Sequence, residues 1–138
     1  MDGIGPELPL NISTAAGAYG LITSYQEQVK QNFKNLLLTS PGERIMNPDF
    51  GVGIRTFLFE PKMQAIPSIR QRITGQVNKY MPFIHIKNIK FDSGENLSEP
   101  NFLDSPLLSI RIESSIPSLN FNTELILHRY ILFFFYLF

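Results

Sequence analysis

The chain has no cysteine and no excess of charge of either sign. Without cysteine it can form neither disulfides nor thiolate metal sites. Twelve Lys and Arg residues balance twelve Asp and Glu residues, so no overall electrostatic field draws the chain to nucleic acid or to an anionic membrane. We therefore expect no nucleic-acid partner, and the redox state of the compartment stays open.

The sequence also lacks an apolar run long enough to span a membrane as a helix. The C-terminal run, residues 130–138, consists of apolar and aromatic side chains only, whereas a spanning helix needs roughly 20 residues. We therefore predict no membrane span. Residues 1–7 contain acidic residues, glycine and proline where a secretory signal needs a basic and then an apolar segment, so Sec export is not expected.

Length and composition indicate one compact domain with an extension at either end. The 138 residues are 43% apolar, which suffices for one core but not for two independent domains. Residues 1–22 are rich in glycine and proline and predict a flexible N-terminal arm. Residues 23–129 form the predicted domain, and residues 130–138 an apolar aromatic C-terminal tail. This tail has three interpretations: a strand buried against a partner, part of the chain's own core, or an extension without a role.

Two stretches show the helical spacing of apolar residues. The first predicts an amphipathic helix that ends near Thr39, ahead of Pro41. Its apolar stripe consists of Tyr25, Val29, Phe33, Leu36 and Leu37. The second predicts a helix over residues 62–79, with Pro61 in its first turn. Its stripe consists of Met63, Ile66, Ile69, Ile73 and Val77.

After Pro82 the apolar period becomes two, which is typical of β-strands. An alternating segment with a phase break at Asn88 predicts a strand with a bulge. Two further alternating segments, which include Ile112 and Leu125, are separated by a predicted turn at residues 117–120. The order of helix, loop, helix and strands predicts an α+β fold, in which two amphipathic helices pack on a small, mostly antiparallel sheet.

The segment between the predicted helices, residues 40–55, reads SPGERIMNPDFGVGIR. Two prolines restrict its conformations, and three glycines permit tight backbone paths. Arg44 and Arg55 are available for carboxylates within the fold or on a neighbour. We interpret this segment as a rigid turn that presents a surface.

No residue pattern indicates a cofactor or a metal site. The GVG sequence at residues 51–53 lacks the third glycine and the preceding strand of a dinucleotide fingerprint. His85 and His128 fall on separate predicted strands, with no second ligand at a metal-binding spacing. We therefore predict no cofactor, no metal ion and no small-molecule substrate.

Three acidic residues, Glu43, Asp49 and Glu60, leave one enzymatic alternative open. Two of them could supply the acid and the base of a glycosidase, but the sequence does not reveal their separation. Each also has a structural interpretation, because Glu43 and Asp49 lie among turn residues and Glu60 precedes a helix N-terminus. We favour the structural interpretation and predict that the chain is not an enzyme and has no catalytic residues.

The loop and its flanks resemble a known family. The run NLLLTSPGER at residues 35–44, followed by NPDFG at 47–51 and LFE at 58–60, closely resembles the signature of contractile-tail baseplate wedge proteins, the gene-25-like or sheath-initiator family. The resemblance spans about residues 25–129 and includes SIPSLN at 115–120. Relatives of this kind occur in phage tails, contractile bacteriocins and type VI secretion systems.

The resemblance implies a structural protein of the virion tail baseplate, assembled in the host cytoplasm. It implies other baseplate wedge proteins and sheath subunits as partners, and a chain that offers a template for the first sheath ring. An edge strand with unpaired amides and carbonyls can accept a strand from another chain, so we expect templating by β-strand addition. Two alternatives stay open: a tail-associated cell-wall hydrolase with an acidic pair, and a baseplate adaptor of a type VI secretion system.

The same resemblance marks two sets of candidate interaction residues. In many family members the second helix ends in Tyr followed by a charged Glu-Pro-Arg turn, whereas here Met81, Pro82 and Phe83 follow Tyr80. If this turn docks on a neighbour, we expect apolar burial to replace the charges. The candidate docking turn is Tyr80, Met81, Pro82 and Phe83, and the candidate interaction motif is Gly42, Glu43, Arg44, Pro48, Phe50, Gly51, Phe59 and Glu60.

Overall fold

The computed structural model describes part of the chain, namely residues 3–10, 12, 19–57, 59–92 and 109–128. The chain divides into two compact units, residues 1–34 and residues 35–138. The predicted boundary after residue 22 stays a prediction. The predicted tail at residues 130–138 lies outside the described residues.

A short two-stranded sheet lies in the first unit. Strand β1, Gly5–Pro6, pairs antiparallel with strand β2, Leu21–Ile22. The side chain of Gln31 accepts a hydrogen bond from the Leu8 amide (2.9 Å) and donates one to the Pro6 carbonyl (3.0 Å). Apolar periodicity could not reveal this sheet, because two-residue strands are too short to show a period.

Helix α1, Tyr25–Leu38, occupies the first predicted helical stretch. The prediction of burial is wrong for Tyr25, which is the first residue of the helix and is 69% exposed. The Thr39 hydroxyl donates to the Asn35 carbonyl (2.7 Å) where the helix ends. The apolar residues that α1 buries lie in its C-terminal half and are Phe33, Leu36, Leu37 and Leu38.

Helix α2, Lys62–Tyr80, occupies the second predicted helical stretch. The prediction of burial is wrong for Met63, which is 68% exposed. Met63 lies about 100° around the helix axis from the middle of the buried face, because each residue advances by about 100°. The buried apolar residues step by four and are Ala65, Ile69, Ile73 and Val77.

Three antiparallel strands form the second sheet, in the order β3, β4, β5. The register between β3 and β4 shifts between Ile86 and Asn88, which confirms the predicted bulge. Between β4 and β5 the pairing runs without interruption. The strands are β3, His85–Asp92, β4, Ser109–Ile116, and β5, Phe121–His128.

A tight hairpin joins β4 to β5 at the predicted turn. Residues Pro117–Leu119 form one 3₁₀ turn, and Asn120 has a left-handed backbone with a φ of 47°, a conformation that Asn adopts more readily than most residues. The two strands share one buried face. Its apolar residues are Ile110, Ile112, Ile116, Leu125 and Leu127.

Helix α2 contacts β3 of this sheet. The Arg70 guanidinium donates to the Ile89 carbonyl (3.2 Å) and lies 5.6 Å from the centroid of the Phe91 ring. Two helices combined with antiparallel sheets confirm the predicted α+β class. Among the residues described, no helix is both long and apolar enough to cross a membrane.

Candidate interaction surfaces

The loop between the helices, residues 40–55, is held against the end of α1 by backbone hydrogen bonds. The Val52 amide donates to the Leu36 carbonyl (3.0 Å), and the Gly53 amide donates to the Thr39 carbonyl (2.9 Å). Both acceptors lie at the C-terminal end of α1, where helix carbonyls lack intrahelical partners. The returning end of the loop therefore satisfies groups that the helix leaves open.

Glycines occupy positions where the loop needs a positive φ. Gly42 has a φ of 91° and Gly51 a φ of 111°, a region that side chains rarely adopt. A Cβ on Gly51 would also collide with the Thr39 carbonyl. Across the loop, the Gly42 amide donates to the Pro48 carbonyl (2.8 Å). Three residues of the predicted motif, Gly42, Pro48 and Gly51, therefore shape the backbone.

The Glu43 carboxylate is bound inside the loop through both oxygens. Its Oε2 accepts a hydrogen bond from the Ser40 amide (3.0 Å), and its Oε1 accepts one from Nη2 of Arg55 (2.7 Å). The ion pair is partly shielded, since 20% of the Arg55 side chain and 46% of the Glu43 side chain are exposed. Arg55 therefore binds a carboxylate within the fold, one of the two uses predicted for it.

Two side chains of α2 hold the other side of the loop. The Gln76 side chain accepts a hydrogen bond from the Gly51 amide (3.0 Å) and donates one to the Asp49 carbonyl (2.9 Å). One turn later, the Tyr80 hydroxyl donates to Oδ1 of Asn47 (3.1 Å). Nothing in the sequence singles out Gln76, and the family resemblance of the NPDFG run does not reveal the partner of Asn47, because a polar residue on a helix or in a turn carries no signal of its tertiary partner.

Arg44, Phe50 and Tyr80 stack beside these hydrogen bonds. The Arg44 guanidinium carbon lies 3.8 Å from the centroid of the Phe50 ring, a cation–π arrangement. The Phe50 ring meets the Tyr80 ring edge to face, with centroids 5.0 Å apart and planes at 66°. Two residues of the predicted motif thus contact each other, and Phe50 also contacts the first residue of the predicted docking turn.

Asp49 lies near a cation in the last turn of α2. Its Oδ2 is 3.7 Å from Nζ of Lys79, and most of both side chains is exposed, so the pair adds little stability. Tyr80 and, after it, Asp49 raise the pKa of Lys79 above its ordinary value. The ammonium therefore stays charged across the physiological pH range.

Ile45 and Met46, which we call the loop tip, are 95% and 96% exposed. They lie at the centre of a turn in which the Asn47 amide donates to the Arg44 carbonyl (3.1 Å). Neither residue belongs to the predicted motif. The motif residues around them shape and hold the loop, whereas Ile45 and Met46 are the most exposed large apolar side chains among the described residues.

The other predicted residues divide between surface and interior. Phe59 is 78% exposed, and Glu60 is exposed as well. In the docking turn, Met81 is only 7% exposed, whereas Phe83 is 42% exposed. Met81 therefore packs inside its own chain, and the part of the turn open to a neighbour is Phe83 with the exposed Pro82.

The acidic residues of the loop serve ion pairs. Glu43 uses both oxygens within the loop, and Asp49 faces Lys79. His85 is exposed on β3, and the side chain of His128 lies outside what the structure describes. In the described stretches, no group of three or more His, Cys, Asp or Glu residues could hold a metal ion.

The two edge strands of the three-stranded sheet differ. Strand β3 contains a bulge, which hinders pairing with a further strand. Its Lys87 and Lys90 donate to Asn122 on β5 and to Glu113 on β4. Strand β5 has neither bulge nor lysine nor proline. Within the described part of the chain, nothing pairs with its outer side. Its buried face carries Thr123, Leu125 and Leu127, and Ile126 on the opposite face is 37% exposed.

Two solved structures are similar to this chain. A chain of the anti-feeding prophage baseplate, solved by cryo-EM, aligns with a TM-score of 0.61 and 25% identity, over 79% of this chain and 81% of that one. A Geobacter sulfurreducens protein provisionally named a tail lysozyme aligns with a TM-score of 0.59 and 23% identity, over 78% and 91%. At that identity the second likeness shows the shared fold alone. A comparison with curated proteins found no match.

A comparison with protein families identifies the family of this chain. Residues 23–117 match the family described as baseplate wedge protein gp25, and this range includes both helices, the loop, β3 and β4. The predicted resemblance to this family is thereby confirmed, although the match ends at residue 117 rather than near residue 129. Because the match covers more than half of the chain, the chain belongs to the gp25 family of baseplate wedge proteins of contractile tails.

Proposed function

We propose that this chain is a non-catalytic component of a contractile-tail baseplate wedge, and that it templates the first ring of sheath subunits by β-strand addition. Family membership and the likeness to the anti-feeding prophage baseplate support a structural role in the baseplate. The partners are then other wedge proteins and sheath subunits. The site of action is the virion tail baseplate, assembled in the host cytoplasm.

The templating role is inferred from the outer edge of β5. An antiparallel edge strand directs roughly half of its amides and carbonyls away from its only neighbour. Strand β5 is 8 residues long and pairs with β4 without a register shift, so its outer groups form a regular row. A segment of a sheath subunit that pairs with this row would satisfy these groups and extend the sheet by one strand.

The other edge strand of the sheet, β3, is less suited to accept a strand, so we expect the sheet to extend from β5 only. The bulge between Ile86 and Asn88 interrupts the backbone row of β3. Natural sheets use bulges to prevent edge pairing. We therefore assign one strand-accepting edge to each copy of the chain, and one incoming sheath strand per copy.

The loop between the helices supports docking on the rest of the wedge. Its shape is set by Gly42, Glu43, Pro48 and Gly51, and it is held by bonds from α2. A loop fixed in this way presents the same surface to every neighbour. We assign the predicted motif a scaffolding role, and we assign Pro82 and Phe83 a contact role in the docking turn.

The two alternatives differ from this proposal in different ways. A cell-wall hydrolase needs one carboxyl to act on a leaving group and a second to act as base or nucleophile, whereas Glu43 and Asp49 each face a cation of their own chain. A type VI secretion adaptor would share the fold and the free edge. It would differ in the machine that contains the chain.

Tail assembly without this chain tests the proposal. Tails are assembled in its absence, the purified chain is then added back, and electron microscopy scores baseplates, tubes and sheath. We expect tubes on baseplates that stay bare until the chain returns. Complete sheathed tails formed without the chain would overturn the templating role.

A further inference from the structure

The loop tip is apolar at a place where the local structure favours polar residues. Ile45 and Met46 fill the two central positions of a turn, for which Gly, Pro, Asn, Asp and Ser are preferred. Their exposure of 95% and 96% leaves them almost no packing contacts in their own fold. Neither the turn nor the core therefore accounts for this pair, and such local inconsistencies are typical of functional sites.

The loop that carries the tip is fixed before any partner binds. Gln76 and Tyr80 hold it from α2, and the Glu43 pair with Arg55 holds it from within. A preorganised loop loses little conformational entropy on association. Exposed apolar residues on such a loop suit insertion into a pocket, and the flexible thioether of Met adapts to an irregular one.

The charged residues next to the loop tip indicate a second property of the partner. The carboxylates of Glu43 and Asp49 lie beside Arg55 and Lys79. Arg44, which precedes the tip, stacks on an aromatic ring and forms no salt bridge with a carboxylate in the described residues. The charge left beside the loop tip is therefore positive, and its guanidinium can bind a carboxylate on another molecule.

We propose that the loop tip is an insertion site for another wedge protein of the baseplate, which receives Ile45 and Met46 in an apolar pocket with a carboxylate at its rim. The carboxylate would pair with Arg44. This inference rests on the proposed role in the wedge, but it concerns a contact separate from the β5 edge. Met and Arg are both enriched at protein interfaces relative to the rest of the surface.

A competition for places in the baseplate tests the contact. Wild-type chain and a variant with Ile45→Ser and Met46→Ser are mixed in equal amounts during assembly, and their ratio in purified baseplates is measured by mass spectrometry. We expect the variant to be depleted by roughly tenfold or more. Met63→Ser is the matched control, since Met63 is an exposed methionine on α2, and we expect it to stay within about twofold of the wild type.

Melting temperatures show whether the serine substitutions affect folding, and variants of Arg44 show whether its charge contributes to incorporation. Both serine variants should melt at the wild-type temperature, because the replaced side chains are exposed. Arg44→Glu should be depleted like the tip variant, whereas Arg44→Lys, which keeps the positive charge but loses the planar guanidinium, should be depleted less than Arg44→Glu. If the tip variant and the wild type enter baseplates in equal amounts and sheath forms, this proposal is overturned and the wedge role stays intact. Absence of the wild type from baseplates would instead overturn the wedge role.

The identity of the partner follows from cross-linking next to the loop tip. The chain has no cysteine, so Asp49→Cys, at an exposed position three residues after Met46, provides a unique thiol for a benzophenone maleimide and leaves Ile45 and Met46 intact. In assembled baseplates we expect cross-links to a different wedge protein, at a segment with apolar residues and an Asp or Glu. Cross-links mainly to a second copy of this chain, to a sheath subunit, or to a segment without a carboxylate would contradict the proposal.

Discussion

Gly51 occupies a position where the fold leaves no room for a side chain. Its φ of 111° and the collision of an added Cβ with the Thr39 carbonyl predict that Gly51→Ala lowers the free energy of unfolding by roughly 3 kcal/mol. Gly75 is the matched control, because it lies inside α2 with open space around a Cβ. Gly75→Ala should raise stability by about 0.5–1 kcal/mol. Urea denaturation distinguishes the two, and equal effects would refute this account of the loop.

Phe50 holds the loop by contacts with Arg44 and Tyr80 on two sides. Phe50→Ala removes both, so we expect a stability loss of about 2 kcal/mol. Phe59→Ala deletes the same side chain at a position that is 78% exposed and should change stability by less than about 0.5 kcal/mol. Thermal unfolding measures both variants. A similar loss in both would mean that the Phe50 stack contributes nothing of its own.

Glu43 and Asp49 decide between the structural and the hydrolytic interpretation. We expect Glu43→Gln to lower stability by about 1 kcal/mol, because it weakens the bond to Arg55, and Asp49→Asn to have little effect. Neither should change the cell-wall lysis produced by assembled tails. A loss of lysis in tails that carry normal amounts of either variant would revive the hydrolase alternative.

At the scale of elements, α2 supports the loop as well as the core. Gln76 satisfies one amide and one carbonyl of the loop, and both would lose their partner in Gln76→Ala. We expect a stability loss of about 1–3 kcal/mol and faster hydrogen exchange at the Gly51 amide. Gln71 is an exposed glutamine of the same helix, and Gln71→Ala should leave both quantities unchanged. Unaltered exchange at Gly51 in the Gln76 variant would show that α2 does not hold the loop.

Apolar periodicity predicted most elements of this fold, for a physical reason. Long elements with one buried face repeat a pattern, so α1, α2, the strand with its bulge and the β4–β5 hairpin could be read from the sequence. The errors lie at element ends, where Tyr25 and Met63 are exposed. The β1–β2 pair was missed because two residues on each side show no period.

The candidate site was predictable only in part. Glycine and proline positions indicated a rigid loop, because these residues act through the local backbone. The bonds from Gln76 and Tyr80, and the interior position of Met81, depend on which distant elements meet. The sequence of a turn also does not show that Ile45 and Met46 project into solvent rather than fold back onto the core.

In the proposed function, different surfaces of the molecule have different tasks. The β5 edge would recruit sheath through backbone hydrogen bonds, which are largely independent of the partner's sequence. The loop tip and the docking turn would bind through side chains, which select a particular partner. A baseplate component that must fix its own position and then start a repeating assembly needs both kinds of contact.

Hydrogen–deuterium exchange shows whether the β5 edge accepts a sheath strand. Exchange is measured on purified baseplates containing this chain, before and after addition of sheath subunits. We expect the amides on the outer side of β5 to become protected by roughly tenfold or more, while those of β3 change little. Sheath assembly that leaves β5 exchange unchanged, or that protects β3 instead, would contradict the proposed strand addition.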